Sequence, residues 1–276
     1  MDEETLSQVI ELITQRIGII PRDSHKTGIK NYIEKRLIEL EEEQGQPVNY
    51  LDYLNSDSTE MMNLINSATV NETYFFREEA QFDLLKSKIL PELKMTKPLL
   101  PLRIWSAASS SGEEIYSIQL LASSMNIRTE CTASDINTKV LDICKNGKYK
   151  KNAVRKVDGA KYHELLDPYM QEDGTFIIPQ EFRKKITLKQ INLSKMSDFP
   201  KNQDIVFLRN VFIYFSQDMK KNILQRISDE ALVPGGYLFL SMNEVASIDA
   251  ATVPPNLEKI SDGRIFYFHK KMQVAV

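Results

Sequence analysis

The sequence predicts an α/β protein, a doubly wound and mostly parallel sheet with helices on both faces. A small all-helical domain precedes it, and a short antiparallel β-subdomain is inserted in it. Three observations carry this reading. From Leu6 to about Leu93 apolar residues recur at helical spacing, with no strand run among them. Beyond Pro101, β-like runs alternate with helical ones, the pattern of βα units on a parallel sheet. Between Tyr162 and Leu188, two short apolar runs follow a turn at Asp173-Gly174.

The 276 residues suit one large domain plus a smaller one, since single domains run to roughly 100–200 residues. The expected division is 1–77 for the helical domain and 78–276 for the sheet domain, with the insertion at about 162–190. In the first part Val9, Ile10, Leu12, Ile13 and Ile17 mark one amphipathic helix. Ile29, Tyr32, Ile33, Leu37 and Leu40 mark a second at the i, i+3, i+4 spacing of a single face. Tyr50 to Leu54, Met61 to Ile65 and Ala80 to Leu93 read as further helices, the last ending near Pro98.

In the second part Leu102 to Ala107 reads as a strand and Glu113 to Met125 as the helix after it. Thr129 to Ser134 and Asp204 to Arg209 are strands, Met219 to Leu232 is a helix, and Pro234-Gly235-Gly236 turns into the strand Tyr237 to Met242. Leu257 to Ile260 and Arg264 to His269 form a hairpin about Asp262-Gly263. In the insertion, Phe176 to Ile178 and Ile186 to Leu188 are expected to pair beside the turn at Asp173-Gly174.

A net charge of −3 speaks against general nucleic-acid binding, in which a basic surplus supplies most of the affinity. Cys131 and Cys144 fit no paired zinc motif and read as buried thiols, so no metal is expected. No apolar run reaches the ~18–20 residues that span a bilayer. Met1-Asp2-Glu3-Glu4 is acidic where a secretion signal would be basic. The expected compartment is the cytoplasm, with no membrane insertion.

Ligands of open α/β sheets bind beyond the carboxyl ends of the strands. The first strand runs into Ala107-Ala108-Ser109-Ser110-Ser111-Gly112-Glu113-Glu114, whose small side chains let the backbone approach a ligand. Glu113 and Glu114 are equally good partners for the dipole of the following helix. Asp135, after the second strand, suits a ribose diol or the N-cap of the next helix. Asn71-Glu72-Thr73-Tyr74-Phe75-Phe76-Arg77 sets packed aromatics beside an arginine able to grip a carboxylate. Those aromatics read first as core. Arg209, Asn210 and Tyr214 follow a strand and reach toward the same crevice, although Tyr214 also reads as a half-buried core tyrosine.

These segments, with Trp105-Ser106-Ala107 to Glu114-x-Tyr116-Ser117, Ala133-Ser134-Asp135-Ile136, Asn192-Leu193 and Pro234-Gly235-Gly236, occur in the order of the CheR-type chemotaxis receptor methyltransferases. The chain resembles that family from about Gly18 to the final hairpin. The resemblance implies a class I methyltransferase-like sheet domain that uses S-adenosylmethionine to methylate glutamate side chains on chemoreceptors. It implies that Asn71, Thr73 and Arg77 line the cofactor pocket. Glu114 and Asp135 would take polar groups of the cofactor, and Asn192, Leu193, Arg209 and Asn210 would complete its adenosine side. Arg77 and Tyr214 would orient the substrate glutamate.

The implied partner is a cytoplasmic receptor helix; Lys26, Lys30, Lys35 and Arg36 of the second helix would steer it as a basic face, or form an ordinary solvated helix face that Glu34 interrupts. The protein is expected to be a monomer. His25, His163 and His269 lie in no motif, and an ionised glutamate needs no general base. Four departures stand out. The insertion is short, and Met170-Gln171-Glu172-Asp173-Gly174 lacks a basic residue before the glycine, which together speak against tight docking of a receptor tail on the insertion; Met242-Asn243-Glu244 replaces a His-Ser-Glu run; Ile115 replaces a proline. Two other readings remain: a non-catalytic S-adenosylmethionine-binding signalling module, and a small-molecule carboxyl methyltransferase on the same fold.

Overall fold

The computed structural model describes residues 2–154, 158, 160–196 and 198–272. Four helices open the chain: α1 (Glu3–Ile17), α2 (Asp23–Gln44), α3 (Tyr50–Ser56) and α4 (Ser58–Ala68). Asp2 caps α1 by accepting the Thr5 N–H, and Gly18 ends it in the left-handed region. The expected apolar stripes face inward, with Val9, Ile13 and Ile17 of α1 and Ile29, Ile33 and Leu40 of α2 all buried. Glu60 of α4 is buried too, and it accepts the hydroxyls of Tyr50 (2.7 Å) and Tyr32 (3.0 Å) and Arg36 Nε (3.1 Å).

Arg36 therefore turns inward rather than joining a basic face. The lysines of α2 also carry acidic neighbours: Lys26 pairs with Asp23 (3.5 Å), Lys30 with Glu34 (3.9 Å) and Lys35 with Glu39 (3.7 Å). The basic stripe read from the sequence is thus charge-compensated along its own helix.

Helix α5 (Glu79–Leu84) runs through a π-turn into α6 (Leu90–Thr96). There follow β1 (Leu102–Ser106), α7 (Glu113–Ser124), β2 (Thr129–Asp135), α8 (Thr138–Asn146), β3 (Lys148–Tyr149), β4 (Phe176–Ile177) and α9 (Gln180–Arg183). The chain ends with β5 (Ile186–Gln190), β6 (Gln203–Phe207), α10 (Gln217–Arg226), β7 (Leu232–Phe239), α11 (Met242–Ala246), β8 (Leu257–Asp262) and β9 (Ile265–Lys270). The sheet order is β5-β2-β1-β6-β7-β9-β8. Strands β5 to β7 in that order are parallel, and the final hairpin is antiparallel. The chain leaves β1 toward β2 and later returns on its other side to β6, so the crevice above β1 is the switch point where ligands bind.

Alternation builds two cores. Trp105, Val206 and Leu238 face α1–α4 and α10, whereas Ile104, Phe207 and Phe239 face α5–α7. Phe75 and Phe76 are fully buried in the second core, as expected of packed aromatics. No described helix is long and apolar enough to cross a membrane.

The insertion differs from expectation. Residues 176–178 do not pair with 186–188, and the antiparallel element is not confined to 162–190. Phe176–Ile177 pairs with Lys148–Tyr149, and Ile186–Gln190 lies parallel to β2 at the sheet edge. A short β-branched run fits a hairpin or a parallel edge strand equally well, and only the crossover through α8 decides. The two-residue strand Lys148–Tyr149 carries no periodicity to read.

Candidate active site

A single cleft at the carboxyl ends of β1, β2 and β6 is lined by all ten residues singled out above: Asn71, Thr73, Arg77, Glu114, Asp135, Asn192, Leu193, Arg209, Asn210 and Tyr214. Its floor is the loop after β1. Ala107 N–H donates to Phe207 O and Ser109 N–H to Ser134 O, which sews the loop to the ends of β6 and β2. Gly112 (φ +95°) then turns the chain into α7, and a Cβ there would collide with Cys144 Sγ. Gly112→Ala is expected to lower stability by about 2–4 kcal/mol, from left-handed strain plus overpacking, read by urea denaturation.

Asp135 closes β2 as a built acceptor. Ser110 N–H donates to its Oδ2 and Asn137 N–H to its Oδ1, both at 2.9 Å. The cap of α8 is Asn137, which accepts the N–H groups of Lys139 and Val140, so Asp135 is released from the N-cap role. Asn137 Nδ2 also donates to Asn66 O (3.0 Å) and Thr69 Oγ1 (2.7 Å), fastening the end of α4 over the sheet. Burial pushes the carboxyls of Asp135 and Glu114 above the usual range.

Glu114 accepts Ser106 Oγ (2.6 Å) and lies 3.5 Å from Arg209 Nε. Arg209 is buried, and its Nη2 donates to Arg77 O at 2.6 Å. Arg209 thus neutralises Glu114 and tethers the Arg77 backbone, while its Nη1 finds no acceptor among the described residues. Asn192 is engaged at both ends of its amide: Nδ2 donates to Arg16 O (2.9 Å), and Oδ1 accepts Ser194 N–H (3.0 Å).

Arg77 stands between two left-handed residues, Phe76 (φ 55°) and Glu78 (φ 61°). Its Nη1 donates to Glu72 O (2.8 Å), and its guanidinium lies 5.4 Å from the Tyr74 ring. Asp158 holds this corner by accepting Tyr74 OH (2.6 Å), Glu78 N–H (2.9 Å) and Glu79 N–H (3.1 Å). Ser110 (φ 49°) and Asn210 (φ 58°) are left-handed as well. Such strain, about 1–2 kcal/mol per residue, gathers where the fold fixes functional groups.

The Asn210–Tyr214 loop hangs on Glu244 of α11, a buried carboxylate. It accepts the N–H groups of Asn210 (2.8 Å) and Phe212 (2.7 Å). Tyr214 packs against His25, their rings 4.9 Å apart and nearly perpendicular. His25, Glu244, Asn137 and Asp158 were not singled out in the sequence.

Residues 71–258 match the model of the CheR methyltransferase, SAM binding domain. The chain belongs to the CheR methyltransferase family. It is 33% identical to chemotaxis protein methyltransferase 2 of Vibrio cholerae over 81% of this chain and 84% of that one. It is 30% identical to the chemotaxis protein methyltransferase of Borreliella burgdorferi over 88% of each, and 35% identical to Cher2 of Pseudomonas putida over 66% and 68%. This CheR-family chain is an S-adenosylmethionine-binding methyltransferase acting in chemotaxis.

Proposed function

We propose that the chain methylates glutamate side-chain carboxylates of chemoreceptors, working as a monomer in the cytoplasm on receptor helices. The observation that carries this is the joining, in one cleft, of the acceptors Asp135 and Glu114 with the donors Arg77 and Tyr214. The relatives' shared description as chemotaxis protein methyltransferases supports it.

The cleft suits the cofactor on its own chemistry. Asp135 keeps lone pairs for a ribose diol after taking two backbone N–H groups. The buried Ser109 Oγ and Arg209 Nη1 lack partners among the described residues and can meet polar groups of a bound nucleoside. Asn71 and Thr73 would close over it from the segment after α4, with Asn192, Leu193 and Asn210 on the adenosine side. When bound, S-adenosylmethionine supplies an electrophilic methyl group.

A glutamate carboxylate is ionised at neutral pH and attacks without a general base. What the chain must add is alignment, and placing reactants together can remove about 7–11 kcal/mol of barrier. Arg77 presents a planar fork to the carboxylate, and Tyr214 adds one adjustable hydrogen bond.

Incubation with tritiated S-adenosylmethionine and receptor membranes tests the proposal. Base-labile methyl groups on receptor glutamates are the expected product. Label that resists base, or label confined to small molecules, overturns it.

A further inference from the structure

His25 lies in the first turn of α2, is 5% exposed, and lines the cleft. Its Nδ1 accepts the backbone N–H of Arg22 at 2.9 Å. That bond requires a lone pair on Nδ1, so the neutral ring carries its proton on Nε2. The ring stands edge-to-face against Tyr214 at 4.9 Å and 74°. Among the described residues nothing accepts from Nε2 or from the Tyr214 hydroxyl. Two adjacent donors on the cleft wall therefore await a ligand acceptor.

Resting on the glutamate-methylating reading of the cleft, we propose that His25 Nε2–H donates to the substrate carboxylate beside Tyr214, as a positioning group in direct contact with substrate. The chemistry favours a neutral donor there. An imidazolium in direct contact would hold the carboxylate's electron pair more tightly and blunt its attack, whereas a neutral N–H fixes its direction. Burial, aided by the nearby Arg22 guanidinium, pushes the imidazole below its usual range and keeps it neutral. The carboxylate belongs to the substrate because the acceptors that suit the nucleoside, Asp135 and Glu114, rise from β2 and α7, whereas His25 comes from the helical segment that carries no part of that floor.

A purely structural role is the competing account, since Nδ1 also secures the start of α2. Two substitutions separate the roles. In His25→Asn the amide oxygen can replace Nδ1 under the Arg22 N–H, but nothing reaches the position of Nε2. In His25→Gln the amide nitrogen reaches that position, but the cap is lost. The expected result for His25→Asn is wild-type melting and wild-type calorimetric affinity for S-adenosylhomocysteine. Its kcat should fall at least about tenfold, the size of a lost hydrogen bond to a charged group, with the KM for receptor unchanged. His25→Gln should recover most of that kcat.

Full kcat in His25→Asn, or no recovery in His25→Gln, overturns the assignment. A fall in S-adenosylhomocysteine affinity in His25→Asn does so as well, by placing the ring on the cofactor. Should either variant fail to fold, the wild-type protein decides by nitrogen NMR. With S-adenosylhomocysteine bound, the Nε2 resonance of His25 must move when a glutamate-bearing receptor peptide is added, and a fixed resonance refutes the proposal. A wild-type protein that forms no methyl ester removes the glutamate reading itself, whereas ester formation at full rate in His25→Asn removes only His25.

Discussion

Asp135→Ala is expected to weaken S-adenosylhomocysteine binding by about 100-fold or more. Two charge-assisted hydrogen bonds to a diol are worth about 1.5–3 kcal/mol each, and each 1.4 kcal/mol is a factor of ten. The same substitution leaves the N–H groups of Ser110 and Asn137 without their acceptor, so some stability is lost with the ligand. Asp135→Asn offers no gentler test. Its amide nitrogen would face one of those N–H groups, donor against donor. Calorimetry alongside thermal melting separates the two losses, and an Asp135→Ala protein that stays folded and binds within a few-fold of wild type would remove Asp135 from the cofactor site.

The pH dependence follows from the same burial. Desolvation raises the carboxyls of Asp135, Glu113, Glu114 and Glu78 in the folded protein. Between the usual carboxylate range near 4 and those raised values, the folded protein holds more protons than the unfolded chain. The contribution of these groups to stability therefore falls as pH rises through that window. On the proposed cofactor role binding runs the other way, because only an ionised Asp135 would accept both ribose hydroxyls. Affinity for S-adenosylhomocysteine is expected to fall as pH is lowered through the window in which the ligand-free protein gains stability from these groups. Binding that strengthens with acid would contradict this.

What the sequence reveals of this site depends on whether a role is local. Asp135 closes β2, Glu114 opens the helix after the β1 loop and Arg209 lies just past β6, and a place beyond the end of a parallel strand already puts a residue at the ligand crevice. Tyr214 is also placed by its strand, but only the order of short motifs separates it from a half-buried core tyrosine and gives Arg77 a role. His25 gave no sign, because it sits in an ordinary amphipathic helix and meets Tyr214 only when α2 closes over the sheet. Glu244 looked like the end of a substituted motif, yet its carboxylate holds the backbone of the Asn210–Tyr214 loop. A side chain that acts by accepting distant N–H groups is read from the folded chain. Asn137 was legible in principle, since an Asn two residues past the strand end competes with Asp135 for the N-cap. The edge strand β5 was misplaced for a related reason: its partner lies across a helix, whereas the turn at Asp173-Gly174 lies beside it.

Arg77→Ala should lower methyl transfer at least 100-fold while leaving the pocket built. The tether from Arg209 ends on the Arg77 carbonyl, which alanine retains. Asp158 holds the next two residues through their backbone N–H groups, also independent of the side chain. The substitution therefore removes a guanidinium and little else. Among the described residues only its Nη1 has an acceptor, Glu72 O, so the rest of the fork is free to meet a carboxylate. Arg77→Lys keeps the charge and loses the planar pair of donors. If the group works by orientation, lysine should restore only a small part of the rate; if by charge alone, most of it. In both variants the KM for receptor should change far less than turnover, because a carboxylate in the wrong direction binds nearly as well but attacks poorly. Wild-type release of base-labile label by Arg77→Ala would take this residue out of the reaction and leave Tyr214 and the cleft floor to account for it.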